Sequence, residues 1–130
     1  MTKNERDKGE KILKSWANAK YRINQIQNEL NLIKDGFNND FIQDINKNSE
    51  IYSIYKELLF EMLSEMKKKM LDFKCVEDVI NKLDNFEKNI IIYRYQKNYS
   101  WDKIALVNHT SRSNCFNIKN RIIKEILLHH

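Results

Sequence analysis

The sequence predicts an all-α protein, a long N-terminal helical hairpin with coiled-coil-like apolar spacing followed by a C-terminal group of short helices. Three observations carry this. The 130 residues include no proline and only two glycines, Gly9 and Gly36, so little interrupts a helix. From Ile12 to Ile33 the apolar residues recur at alternating steps of four and three, the period of a helical seam. Between residues 90 and 126 that rhythm is broken twice, by QKNYS and by VNHTSRS, and resumes after each break. Short helices joined by tight turns read this way.

The seam Ile12, Trp16, Ala19, Ile23, Ile26, Leu30 and Ile33 places a first helix over about residues 5–35. It ends at KDGFNND, where Gly36 and the asparagines supply a C-cap and a turn. FIQDI (41–45) adds a short helical turn, and Ser49 is positioned to cap a second long helix. The apolar positions of that helix are Ile51, Tyr55, Leu58, Met62, Met66, Met70 and Phe73, widened by Ile54, Leu59 and Leu63. A stripe so broad wants more than one neighbour. Two arrangements satisfy the seam: an intramolecular hairpin core closed antiparallel through residues 36–48, or the coiled-coil interface of a homodimer. The three methionines read as core fillers, and KKK (67–69) as a solvated face.

Farther on, CVEDVINKL (75–83) has Val76, Val79, Ile80 and Leu83 at helical spacing. Asp84 and Glu87 stand in the capping-box relation. They open a helix whose packed face is Phe86, Ile90, Ile91, Tyr93 and Tyr95. Ser100 caps WDKIALVN, with Trp101, Ile104 and Ala105 inward; the small Ala105 permits close helix approach. Asn108 or His109 takes the left-handed position of the second turn. Ser111 then caps a last helix with Cys115, Ile118, Ile122, Ile123 and Ile126 on its inner stripe. This divides the chain into a helical hairpin or oligomerisation region (1–73) and a helix-turn-helix domain (74–130).

Composition narrows the function. The formal net charge is +5, and it is uneven. Residues 84–130 hold eight basic against four acidic groups, while residues 1–83 are nearly balanced. A polyanionic partner for the C-terminal segment follows naturally. Cys75 and Cys115 fall at apolar helical positions and read as buried free thiols of a reducing cytoplasm, with a disulfide left open. The charged N-terminus carries no signal peptide, and no apolar run is long enough for a bilayer, so neither secretion nor a membrane is expected. Catalysis and cofactors are not expected either. The acids are scattered, His109 lies in a turn with no adjacent nucleophile, Cys75, Cys115 and His109 lack zinc-ligand spacing, and two glycines make no phosphate loop.

The outward surface of the last helix is the informative part. Arg112, Ser113, Asn114, Phe116, Asn117 and Asn120 lie on it, followed by Arg121 and Lys124. Arginine, serine and asparagine can donate to and accept from base edges, and the later cations suit phosphates. The same surface could equally be the polar face of an ordinary bundle helix.

The order INKL…NIIIYRYQKNYSWDKIA…S.SNCFNIKNRIIKEI resembles region 4 of bacterial primary-type sigma factors. It resembles more closely the small phage transcriptional regulators of the ArpU/RinA-like group, which carry such a domain at the C-terminus. IYRY (92–95), SWDKIA (100–105) and Ser111 keep the family's order and spacing, and the resemblance covers about residues 75–128. It implies that Arg112, Ser113, Phe116 and Asn117 read sequence while Arg121 and Lys124 hold the DNA backbone. Two departures stand out: Phe116 occupies a position often basic or polar, and Asn108 one usually apolar. Nothing in the N-terminal part resembles the promoter-melting region of a full sigma factor.

The resulting expectation is a cytoplasmic, sequence-specific transcriptional regulator, phage or prophage encoded. It would bind double-stranded DNA as a homodimer and recruit or block RNA polymerase. The alternative is a protein-interaction module on the same scaffold, an inhibitor or adaptor of RNA polymerase or of a host nuclease, for which Phe116 and the Met-rich helix speak. A small terminase subunit would place the DNA-reading domain first, the reverse of the order here.

Overall fold

The computed structural model describes residues 1–36 and 49–129, and every regular element among them is helical. Helix α1 spans Lys3–Gly36 and α2 Ser49–Asp72. α3 (Lys74–Asn81) follows after a break at Phe73. α4 (Asn85–Ile91) runs directly into a π-helical turn, Ile92–Gln96. α5 (Trp101–Val107) and α6 (Arg112–His129) complete the chain. The turn expected at FIQDI, the 36–48 connection, the Ser49 cap and the Ile51 side chain lie outside the described residues. No described helix is long and apolar enough to cross a membrane.

Local chemistry explains most boundaries. Thr2 Oγ1 accepts from the Glu5 amide at 3.1 Å and donates to its carboxylate at 3.2 Å, fixing the start of α1. The Glu87 amide donates to Asp84 Oδ1 at 2.8 Å. The reciprocal arm of that capping box is diverted, because the Glu87 carboxylate pairs with Arg121. Ser100 and Ser111 cap α5 and α6, accepting from the Lys103 and Asn114 amides at 3.1 and 3.0 Å.

Both turns close on a left-handed residue: Asn98 has φ 58° and His109 φ 52°. At the second, the Thr110 amide donates to Ala105 O and the His109 amide to Leu106 O. That is the paired bonding of a Schellman motif. The unexpected Asn108 has a use here, since its Nδ2 donates to Ile104 O at 2.9 Å.

The chain folds as two compact units, residues 1–19 with 73–130, and residues 20–72. The first holds one continuous core. Val76, Val79 and Ile80 of α3, Ile90 and Ile91 of α4, Tyr95, Trp101, Ile104 and Ala105 meet the Cys115, Ile118, Ile122, Ile123 and Ile126 stripe of α6. Leu13, Trp16 and Ala17 of α1 belong to this same core. The division at residues 73 and 74 drawn from periodicity therefore differs from the packing. The first part of α1 groups with the C-terminal segment because its aromatic and aliphatic side chains are buried there, and Trp16 Nε1 donates to Glu77 Oε1 at 2.8 Å.

In the second unit α1 and α2 are joined by a two-pronged ion pair, Arg22 Nε and Nη2 to Glu65 Oε1 and Oε2, each 3.0 Å. Ile26 is its one fully buried residue among those whose burial is described. Seam residues Ile23, Leu30 and Ile33 are only half-buried there. Three other expectations need correction. Phe86 is exposed, because α4 turns Ile90 and Ile91 inward instead. Phe73 lies at the break after α2 rather than within it, packed on the core of the first unit. Both cysteines are free, but Cys75 is exposed and only Cys115 buried.

Candidate nucleic-acid interface

α6 is amphipathic along its whole length. With its isoleucine stripe and Cys115 buried, the opposite arc, at about 100° per residue, presents Ser113, Asn117 and Lys124 to solvent. None of these three has a hydrogen-bond or ion-pair partner among the described residues. They make a ready donor, acceptor and cation set along one line of the helix.

The other expected site residues are less free. Arg112 is exposed and its Nη1 stands 3.4 Å from Asp102 Oδ1, so α5 supplies it with a counter-charge. Asn114 Nδ2 donates to Thr110 Oγ1 at 2.9 Å, securing the turn before the helix. Phe116 is half-buried and packs against Trp101 with ring centroids 5.1 Å apart. It ties α6 to α5 rather than standing free. Asn120 is half-buried, and its Oδ1 is enclosed without a hydrogen-bond partner among the described residues.

Arg121 pairs with Glu87 and lines a cavity of about 500 Å³ whose wall also carries Asp78 and Glu125. Three carboxylates set against the cations Lys82 and Arg121 leave that wall without the positive excess a phosphate needs. Arg121 therefore neighbours Asn117 and Lys124 on the helix surface, at i+4 and i−3, but is engaged by Glu87 where they are free.

A second group was not singled out by periodicity: cations laid over aromatic faces around the first turn. Lys103 Nζ lies 3.9 Å from the centroid of Tyr99, and Lys97 Nζ 4.9 Å from that of Tyr93; the two tyrosine rings stack at 5.4 Å. Arg94 covers Trp101 at 4.8 Å and donates to Tyr99 O at 3.1 Å. Such contacts hold charge at fixed places without neutralising it. The signal was present in YRYQKNYSWDK, where aromatic and basic residues interleave. Lys119, by contrast, is withdrawn. Its side chain is 12% exposed and bonds Glu10 Oε1 at 3.0 Å.

Among the described residues no group of histidine, cysteine, aspartate and glutamate is placed to hold a metal ion. Compared with protein-family models, characterised proteins and solved structures, the chain matches none.

Proposed function

We propose that the protein is a sequence-specific DNA-binding regulator in which α5, the four-residue turn and α6 act as a helix-turn-helix, with α6 entering the major groove. The phage or prophage setting and an action on RNA polymerase come from the resemblance of YRY…SWDKIA…S alone. One observation supports the reading most: the solvent-facing line Ser113, Asn117 and Lys124 on α6 lacks internal partners, beside a first unit that carries the chain's basic excess. Ser113 and Asn117 suit base edges, Lys124 suits phosphate, and the fixed cations Lys97 and Lys103 suit the flanking backbone. Arg112 joins the readers when it exchanges Asp102 for a base. In this reading α1 and α2 form the hairpin, with Arg22 and Glu65 at similar distances along the chain from Gly36 and Ser49.

Selection from a random duplex library at low salt tests this. An enriched sequence is expected. Asn117→Ala should then cost about 1–3 kcal/mol and relax preference at one position, whereas Lys124→Ala weakens all duplexes alike and flattens the salt dependence. Recovery of no preferred sequence overturns the reading.

A second reading, a protein-interaction module, is favoured by a separate observation. Leu106 and Val107, at the end of α5, are 78% and 45% exposed. Phe116 no longer supports it. In the second reading Leu106→Lys abolishes capture of a protein partner and leaves duplex binding untouched.

A further inference from the structure

From the exposed side of α2 we infer that the protein self-associates through this helix, in an antiparallel pair with a second copy of the chain. Half the residues of α2 are apolar, yet none of its described side chains is fully buried. A helix this apolar around its circumference ordinarily lies inside something.

From Phe60 onward the exposed part is organised, whereas Ile54 and Leu58, 54% and 51% exposed, lie on another side of the helix. Phe60, Leu63, Met70 and Leu71 are 72%, 47%, 55% and 63% exposed. At about 100° per residue they share an arc of roughly 100°. With Lys67 between them, residues 60, 63, 67 and 70 step by three, four and three, the spacing of a helix–helix seam. Lys67 can lay its aliphatic stem along that seam and keep its ammonium in water. The α1 seam, for which periodicity left both a hairpin core and a dimer interface open, has Trp16 and Ala19 buried within the chain.

Charge selects both the occupant and its direction. One flank of the seam carries Glu57, Glu61, Ser64 and Lys68, at i, i+4, i+7 and i+11. When two copies pack antiparallel about a two-fold axis, like flanks face each other. Setting Phe60 against Met70 of the second copy then brings Glu61 to Lys68, twice over. A parallel copy would lay this charged flank on the apolar row Leu59, Met62 and Met66 and leave its charges unpaired. Size bounds the kind of contact. Phe60, Leu63, Met70 and Leu71 expose on the order of 400–500 Å², so with their flanks they reach the lower end of the roughly 800 Å² per partner typical of specific interfaces. An interface of this size suits a reversible dimer rather than a permanent one.

Sedimentation equilibrium of the whole chain, without DNA, from about 1 to about 500 μM, tests this independently of the DNA reading. Wild type passes from monomer to dimer across that range. Glu61→Lys and Lys68→Glu, each alone, weaken the dimer about tenfold or more, because like charges then meet at both ends. An equimolar mixture of the two variants restores wild-type affinity as a heterodimer. Leu63→Glu leaves a monomer whose helical circular dichroism is unchanged. A wild-type chain that stays monomeric, or a mixture no tighter than its separate components, overturns the proposal.

Discussion

Gly9 on α1 lies against Ile123 on α6 with no room for a side chain. A methyl placed on it would stand 3.1 Å from both Cβ and Cγ1 of Ile123 and nearer still to Cγ2. Ile123 is fully buried and β-branched, so it has no alternative rotamer to retreat into. Gly9→Ala gains about 1 kcal/mol of helix propensity and loses about 1–3 kcal/mol to overpacking. The clash wins. Urea unfolding should show a net loss of up to about 2 kcal/mol, and Ile123→Ala in the same background should recover part of it by opening the space. A stabilised Gly9→Ala variant would mean that α1 does not dock this closely.

The Tyr95 hydroxyl donates to Glu10 Oε2 at 2.7 Å, while Lys119 holds the other carboxylate oxygen. Burial foremost, then the bond to Glu10 and its negative charge, keeps the Tyr95 phenol well above its ordinary value near 10. The sign follows directly. Below about pH 10 the phenol is protonated in both states and its contribution is complete. Above that, the unfolded chain releases a proton that the folded chain retains, so stability falls by up to about 1.4 kcal/mol per pH unit. Tyr95→Phe should cost about 1 kcal/mol at pH 8, and the gap to wild type should close by about pH 11. A gap that stays constant from pH 8 to 11 sinks this account.

Which features could be read from residues alone follows from the range of the interactions involved. The caps at Asp84, Ser100 and Ser111 act within three residues, so their type and spacing sufficed. The stripe of α6 was legible for the same reason. Which neighbour a stripe meets is a different matter. Trp16 belongs to one regular seam with Ile26, yet Trp16 enters the C-terminal core and Ile26 the other unit. Periodicity ranks faces, and only long-range packing assigns their partners. The candidate site divides likewise. Ser113, Asn117 and Lys124 stand where their types suggested, whereas Arg121 is claimed by Glu87 and Lys119 by Glu10, residues remote in sequence.

The two thiols should react at very different rates. Cys75 is exposed on α3, and Cys115 lies in the core, where burial pushes its thiol up from the ordinary range. Only a thiolate attacks a disulfide reagent. At pH 8 a chromogenic disulfide should therefore label one thiol per chain quickly. The second should follow only with unfolding, at a rate that rises with urea. Cys75→Ser removes the fast phase entirely; two fast equivalents would place Cys115 outside the core.

Arg112 and Asp102 offer the sharpest separation of stability from recognition. Their side chains are 57% and 81% exposed, and an exposed pair of this kind stabilises a fold by no more than about 1 kcal/mol. Asp102→Asn should leave the unfolding midpoint nearly unchanged. On DNA the same carboxylate competes for the guanidinium and repels phosphates. The variant should bind duplexes about two- to fivefold more tightly at low salt, with the advantage shrinking as ionic strength rises. Arg112→Ala, tested beside it, removes both the gain and the preference at one base position. If Asp102→Asn instead weakens binding, the carboxylate orients Arg112 for its contact rather than competing for it.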